Sequence, residues 1–113
     1  LYVEDAAAGI LAILKKGKLG EVYNLGSGQE KRNIEVVRAI LAILKADESR
    51  IEFVKDRPGH DIRYKLNSQK INREIGWQAK VKFEDGILKT VKWCVANKSW
   101  LLGKWQKIAP LYR

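Results

Sequence analysis

Residues 51–77 read IEFVKDRPGHDIRYKLNSQKINREIGW, and this stretch decides how the rest of the chain is read. It opens with IEFV, a run of β-favouring and apolar residues that predicts a short strand. KDRPGHD then predicts a loop, because Pro58 lacks a backbone donor and Gly59 tolerates unusual dihedrals. RYKL returns to an extended segment. Asn67 or Ser68 is placed to cap a short helix, SQKINREI, which Gly76 ends; Trp77 is expected to pack back on the domain.

Working outward from there, LYV at 1–3 reads as the end of a strand, and Asp5 as the cap of a helix over 6–16. Ile10, Leu11, Ile13 and Leu14 give that helix an apolar face, and Gly17 stops it. EVYNLG predicts another strand, and GSGQEKR a polar loop. Asn33 opens a second helix over 33–45, with Ile34, Val37, Leu41 and Leu44 at helical spacing. Beyond Trp77, Phe83 leads into EDGILKTVKWCVANKSW, a longer helix with Ile87, Val91, Trp93 and Val95 toward the core. The tail GKWQKIAPLYR has no clear pattern. The order β-α-β-α-β-β-α-α gives an α/β fold class, short strands packed with helices. Two regions are expected: 1–97 as one unit and 98–113 as a tail.

The 113 residues carry 22 basic and 13 acidic side chains, a net charge of +9. Such an excess favours anionic partners, either a nucleic acid or a sugar nucleotide with its pyrophosphate. The basic residues are scattered, as in KVKF and KTVKW, and much of the charge reads as solvated surface. No apolar run is long enough to span a membrane. His60 and Cys94 are the only residues of their kinds, so no zinc-ligand spacing exists and no internal disulfide can form. Cys94 sits in an apolar helical pattern and reads as a small buried hydrophobe. Gly26-Ser27-Gly28 is weak as a phosphate cradle and strong as a turn. The absence of methionine, even at position 1, is expected of a fragment or excised domain.

The chemistry-bearing stretch is Asp56-Arg57-Pro58-Gly59-His60-Asp61. Arg57 offers forked donors suited to phosphate oxygens, and a turn at Pro58-Gly59 could bring His60 to the same side. The alternative is an exposed turn with ion pairs, Asp56 to Arg57 or Asp61 to Arg63.

Four segments resemble the dTDP-glucose 4,6-dehydratases of the extended short-chain dehydrogenase/reductase superfamily. They are LYVEDAAAGI (1–10), GEVYNLGSGQEKRNIEVV (20–37), residues 51–77 and FEDGILKTVKW (83–93). YNLG before a helix is shared with sugar-nucleotide epimerases and decarboxylases; DRPGHD followed by RY is more specific to the dehydratases. The resemblance implies a C-terminal substrate-binding part, with Asn33, Asp56, Arg57, Pro58, Gly59 and His60 contacting a nucleoside-diphosphate sugar. It implies a reaction in which C4 is oxidised, water is lost across C5 and C6, and hydride returns to C6, with NAD as cofactor. The Tyr-x-x-x-Lys pair and the glycine-rich NAD fingerprint of such enzymes are absent: Ala6, Ser27 and Ser68 stand four places after Tyr2, Tyr23 and Tyr64. Catalysis, the Rossmann domain that binds NAD, and the helices of the expected homodimer are therefore placed upstream. So is a substrate-contacting arginine just before Leu1. Cytoplasmic location is expected, with no nucleic-acid or membrane partner. Ala6 stands where the family has His, and Ile62 where Arg is more common. A UDP-sugar epimerase or decarboxylase of the same superfamily, a basic nucleic-acid-binding module and a stand-alone sugar-nucleotide-binding domain are the competing readings.

Overall fold

The computed structural model describes residues 1–56 and 58–109. Its elements are α1 (Val3–Lys16), α2 (Asn33–Leu44), a 3-10 turn (Glu48–Arg50), α3 (Gln69–Ile75), α4 (Phe83–Ala96) and α5 (Lys98–Ile108). α1 packs on α3, α2 on α4, and α5 follows α4.

The expected α/β architecture does not form: among the described residues there is no strand. A strand exists only with a ladder partner. The LYV segment enters α1 at Val3, and the segments at 21–25, 51–54 and 63–66 run without regular structure. Among the described residues no backbone hydrogen bond joins one of them to another. Several of their β-favouring side chains stay in solvent, Phe53 at 85%, Val54 at 79% and Val22 at 77% exposure.

The helix stops follow the sequence. Gly17 donates its N–H to the Ile13 carbonyl at 2.7 Å, closing α1. Gly76 takes a left-handed conformation (φ 79°) and closes α3. Lys45 does the same after α2 without the freedom of glycine, at φ 54°. At the start of α3, the Asn67 carboxamide oxygen accepts from Gln69 N–H at 2.9 Å. The helix expected to run on from Phe83 breaks at Asn97, and the tail segment forms α5. Pro110 to Arg113 of that tail lie outside the described residues.

Asp5 does not cap its own helix. It lies in the first turn of α1, buried, and its Oδ2 accepts from the backbone N–H groups of Lys80 (3.1 Å) and Val81 (2.8 Å). The carboxylate thus ties α1 to the segment that leads into α4.

The main apolar cluster is Ile71, Ile75 and Trp77, joined by Ala12, Ile13, Tyr23, Leu25 and Ala79. Gly9 is needed beneath it, because a Cβ there would collide with the Leu25 side chain and come within 2.9 Å of the Trp77 ring. Trp77 therefore packs as expected, at 8% exposure. The face expected on α1 does not: Ile13 joins the cluster while Ile10, Leu11 and Leu14 remain exposed. On α4, Val91 is buried, yet Trp93 and Val95 are exposed. Trp93 meets Trp100 of α5 edge to face at 5.4 Å between ring centroids. Cys94 is half-buried. The Cα radius of gyration is 17.1 Å, well above the roughly 13 Å of a compact domain of this length.

Candidate functional site

An open groove of about 1020 Å³ runs between the 27–36 segment, Asp56 with residues 60–64, and the start of α4. Tyr2 closes part of its floor, its side chain 3.3 Å from where a Cβ on Gly86 would stand. The groove is lined by polar and charged side chains and is the natural place for a small anionic ligand.

Three of the residues singled out from the sequence line it: Asn33, Asp56 and His60. Asn33 is the first residue of α2, though the residue before it, Arg32, occupies the cap position. There the Glu35 carboxylate accepts from Arg32 N–H at 2.7 Å. Pro58 and Gly59 form the turn between Asp56 and His60, Gly59 at φ 70°, and are exposed beside the groove. Arg57 lies outside the described residues. The turn brings His60 Nδ1 to 2.8 Å from Asp56 Oδ1.

Charge around the groove is paired. Arg63 makes a forked contact with Glu30, Nη2 to both carboxylate oxygens at 2.8 Å, and Lys65 reaches the same carboxylate at 3.4 Å. The hydrogen bond from Arg63 holds the Glu30 carboxyl below its ordinary range, with Lys65 helping. The partner expected for Arg63, Asp61, is thus replaced by a residue 33 positions earlier. Lys31 pairs with Glu84 at 3.1 Å and lies over the Phe83 ring at 5.0 Å. Among the described lining residues, Lys31, Arg32, Arg63 and Lys82 are balanced by Glu30, Glu35, Asp56 and Asp61. The excess positive charge of the chain is therefore spread elsewhere. Nothing in the GSGQEKR segment singles out Glu30; its place was not readable without knowing that 30 and 63 meet.

Loop 26–32 is held to α3 by Ser68, whose Oγ accepts from Gly26 N–H at 2.7 Å and donates to the Gly26 carbonyl at 3.3 Å. Gln29 ties the same loop to α4, accepting from Phe83 N–H at 2.8 Å. Among the described residues no group of acidic, His and Cys side chains could hold a metal ion. No helix described is long and apolar enough to cross a membrane.

A family model described as GDP-mannose 4,6 dehydratase matches residues 1–90, and the chain belongs to that family. Its relatives narrow the comparison. A protein of Xanthomonas campestris pv. campestris named dTDP-glucose 4,6-dehydratase is 44% identical over 112 residues, covering 91% of this chain and 32% of the relative. A dTDP-glucose 4,6-dehydratase of Bacillus anthracis, solved in complex with NAD, superposes with a TM-score of 0.81 at 43% identity, over 88% of this chain and 32% of that one. DesIV, a dTDP-glucose 4,6-dehydratase of Streptomyces venezuelae solved with NAD and TYD bound, gives 0.81 at 42% identity, over 86% and 30%. The chain spans about a third of the length of the curated relatives it matches.

Proposed function

We propose that this chain is the nucleotide-sugar-binding wall of a nucleoside-diphosphate-glucose 4,6-dehydratase, with dTDP-glucose as the substrate. The observation that carries the reading is the groove, which gathers Asn33, Asp56 and His60 from segments distant in sequence. The identity to enzymes named dTDP-glucose 4,6-dehydratase supports the choice of substrate. In this reading Asn33 and His60 hold the diphosphate, Arg57 supplies a permanent positive charge, and Pro58-Gly59 set the turn between them. The binding region is 1–97, with 98–113 an appended tail.

NAD does not fit the described residues. Gly26 and Gly28 belong to a loop with no strand before it, and α2 begins only at Asn33. The cofactor, the proton-transfer residues and the homodimer contact are therefore assigned to other parts of the intact enzyme, which works in the cytoplasm, and this chain alone is expected to turn over no substrate. Sugar-nucleotide epimerases and decarboxylases are the nearest competing activities, and only a dehydratase yields a 4-keto-6-deoxy sugar.

Steady-state kinetics of the intact enzyme test this. Arg57→Ala is expected to raise KM for dTDP-glucose more than tenfold, because losing one partner of a charge pair with phosphate typically costs about 2–5 kcal/mol. An unchanged KM, or a product other than the 4-keto-6-deoxy sugar, overturns the reading.

A further inference from the structure

Asp56 was grouped with the ligand contacts by its place in DRPGHD, yet its chemistry argues otherwise. A carboxylate only accepts hydrogen bonds, and so do the oxygens of a diphosphate. Set directly against that ligand, Asp56 would repel it. Its carboxylate instead meets the imidazole of His60, Oδ1 to Nδ1 at 2.8 Å across the Pro58-Gly59 turn. The His60 side chain is 31% exposed while that of Asp56 is 79% exposed, so the ring is the more enclosed member of the pair. An acceptor on Nδ1 places the proton there and leaves Nε2 as the other polar atom of the ring. In the imidazolium form both nitrogens donate, one to Asp56 and one to a phosphate oxygen.

We infer that Asp56 is a positioning residue: its carboxylate accepts from Nδ1–H and so orients the His60 ring, leaving Nε2–H of the imidazolium to donate to the diphosphate. The inference rests on the groove being a nucleoside-diphosphate site. Asp56 therefore acts through His60 and does not touch the ligand.

The test is calorimetric binding of thymidine diphosphate to the intact enzyme carrying Asp56→Ala, Asp56→Asn, His60→Ala and the double change to alanine, with the His60 ring nitrogens followed by NMR. His60→Ala is expected to weaken binding about tenfold, the usual size for a hydrogen bond to a charged group. Asp56→Ala is expected to weaken it about three- to tenfold, less because the carboxylate is screened by solvent. Asp56→Asn keeps an acceptor oxygen and is expected to bind within about twofold of the unchanged enzyme, since only the charge is lost. The double variant should bind no more weakly than His60→Ala, because residues that act as one unit are not additive. The NMR spectrum of the thymidine diphosphate complex should show both ring nitrogens of His60 protonated in the unchanged enzyme, and faster exchange of the Nδ1 proton in Asp56→Ala. Additive losses, or unchanged binding in Asp56→Ala while His60→Ala binds weakly, overturn the positioning role alone. If Asn33→Ala, Arg57→Ala and His60→Ala all bind thymidine diphosphate normally, the nucleotide reading fails and the inference falls with it.

Discussion

Around Trp77 the chain is held by apolar contact; at Asp56 and along residues 60–65 it is held by charge. In the first region Ile71, Ile75 and Trp77 are almost out of solvent, and Gly9 lets a ring and a leucine rest directly on the α1 backbone. In the second, the Asp56–His60 contact and the Glu30 cluster with Arg63 and Lys65 fasten exposed chain to the groove wall. Ile62 and Tyr64, between these contacts, are exposed. Apolar packing is short-ranged and indifferent to pH. Exposed ion pairs contribute little stability and respond to the charge around them. The groove therefore has one stiff neighbour and one wall that can adapt to an anionic ligand.

Breaking the stiff region should have the largest effect. Trp77→Ala is expected to destabilise the chain by about 3–5 kcal/mol, as large-to-small changes of buried aromatics do; urea unfolding measures it, and a loss under about 1 kcal/mol would mean that the cluster is not the main core. A smaller effect is expected at the join between the regions. Asp5→Ala leaves the N–H groups of Lys80 and Val81 without their acceptor, a loss of about 1–3 kcal/mol. Hydrogen exchange should show those two amides opening faster than amides in the middle of α3; equal protection would remove Asp5 as the tie.

The smallest and most local effect is expected in the charged wall. Glu30 has its pKa lowered in the folded chain by the hydrogen bond from Arg63. Its contribution is thus fully present above the ordinary glutamate value of about 4.3 and is lost as pH falls below it. Between neutral pH and pH 3 the 60–66 segment should loosen from loop 26–32 while the Trp77 cluster stays protected. Exchange rates that change equally in both regions would dissolve the distinction drawn here.

Helix positions were largely legible in the sequence because their signals are local. Gly17 and Gly76 stop helices where they were expected to, and the turn at Pro58-Gly59 forms. The strands were misjudged because residues such as those of IEFV show only that a segment prefers extension. Whether another segment pairs with it is a fact about the whole molecule, and among the described residues no backbone hydrogen bond joins these segments. Asp5 was misread for the same reason: an acid at the start of a helix looks like a cap, and its partners stand 75 and 76 positions away. Periodicity on α4 marked Val91, Trp93 and Val95 together, but of these only Val91 is buried. At the groove, the residue types of the 56–61 loop could be read directly. The pairing of Glu30 with Arg63 could not, since it depends on a loop closure that no spacing encodes.

The extended shape also has a thermal consequence. The heat capacity gained on unfolding comes from apolar surface newly wetted, about 12–15 cal/mol/K per residue in ordinary domains. With Ile10, Leu14, Phe53, Val54 and Trp105 already in water in the folded chain, much of that wetting has happened beforehand. The stability of this chain therefore varies with temperature along a flatter curve than that of a compact domain of equal length, and cooling weakens it less.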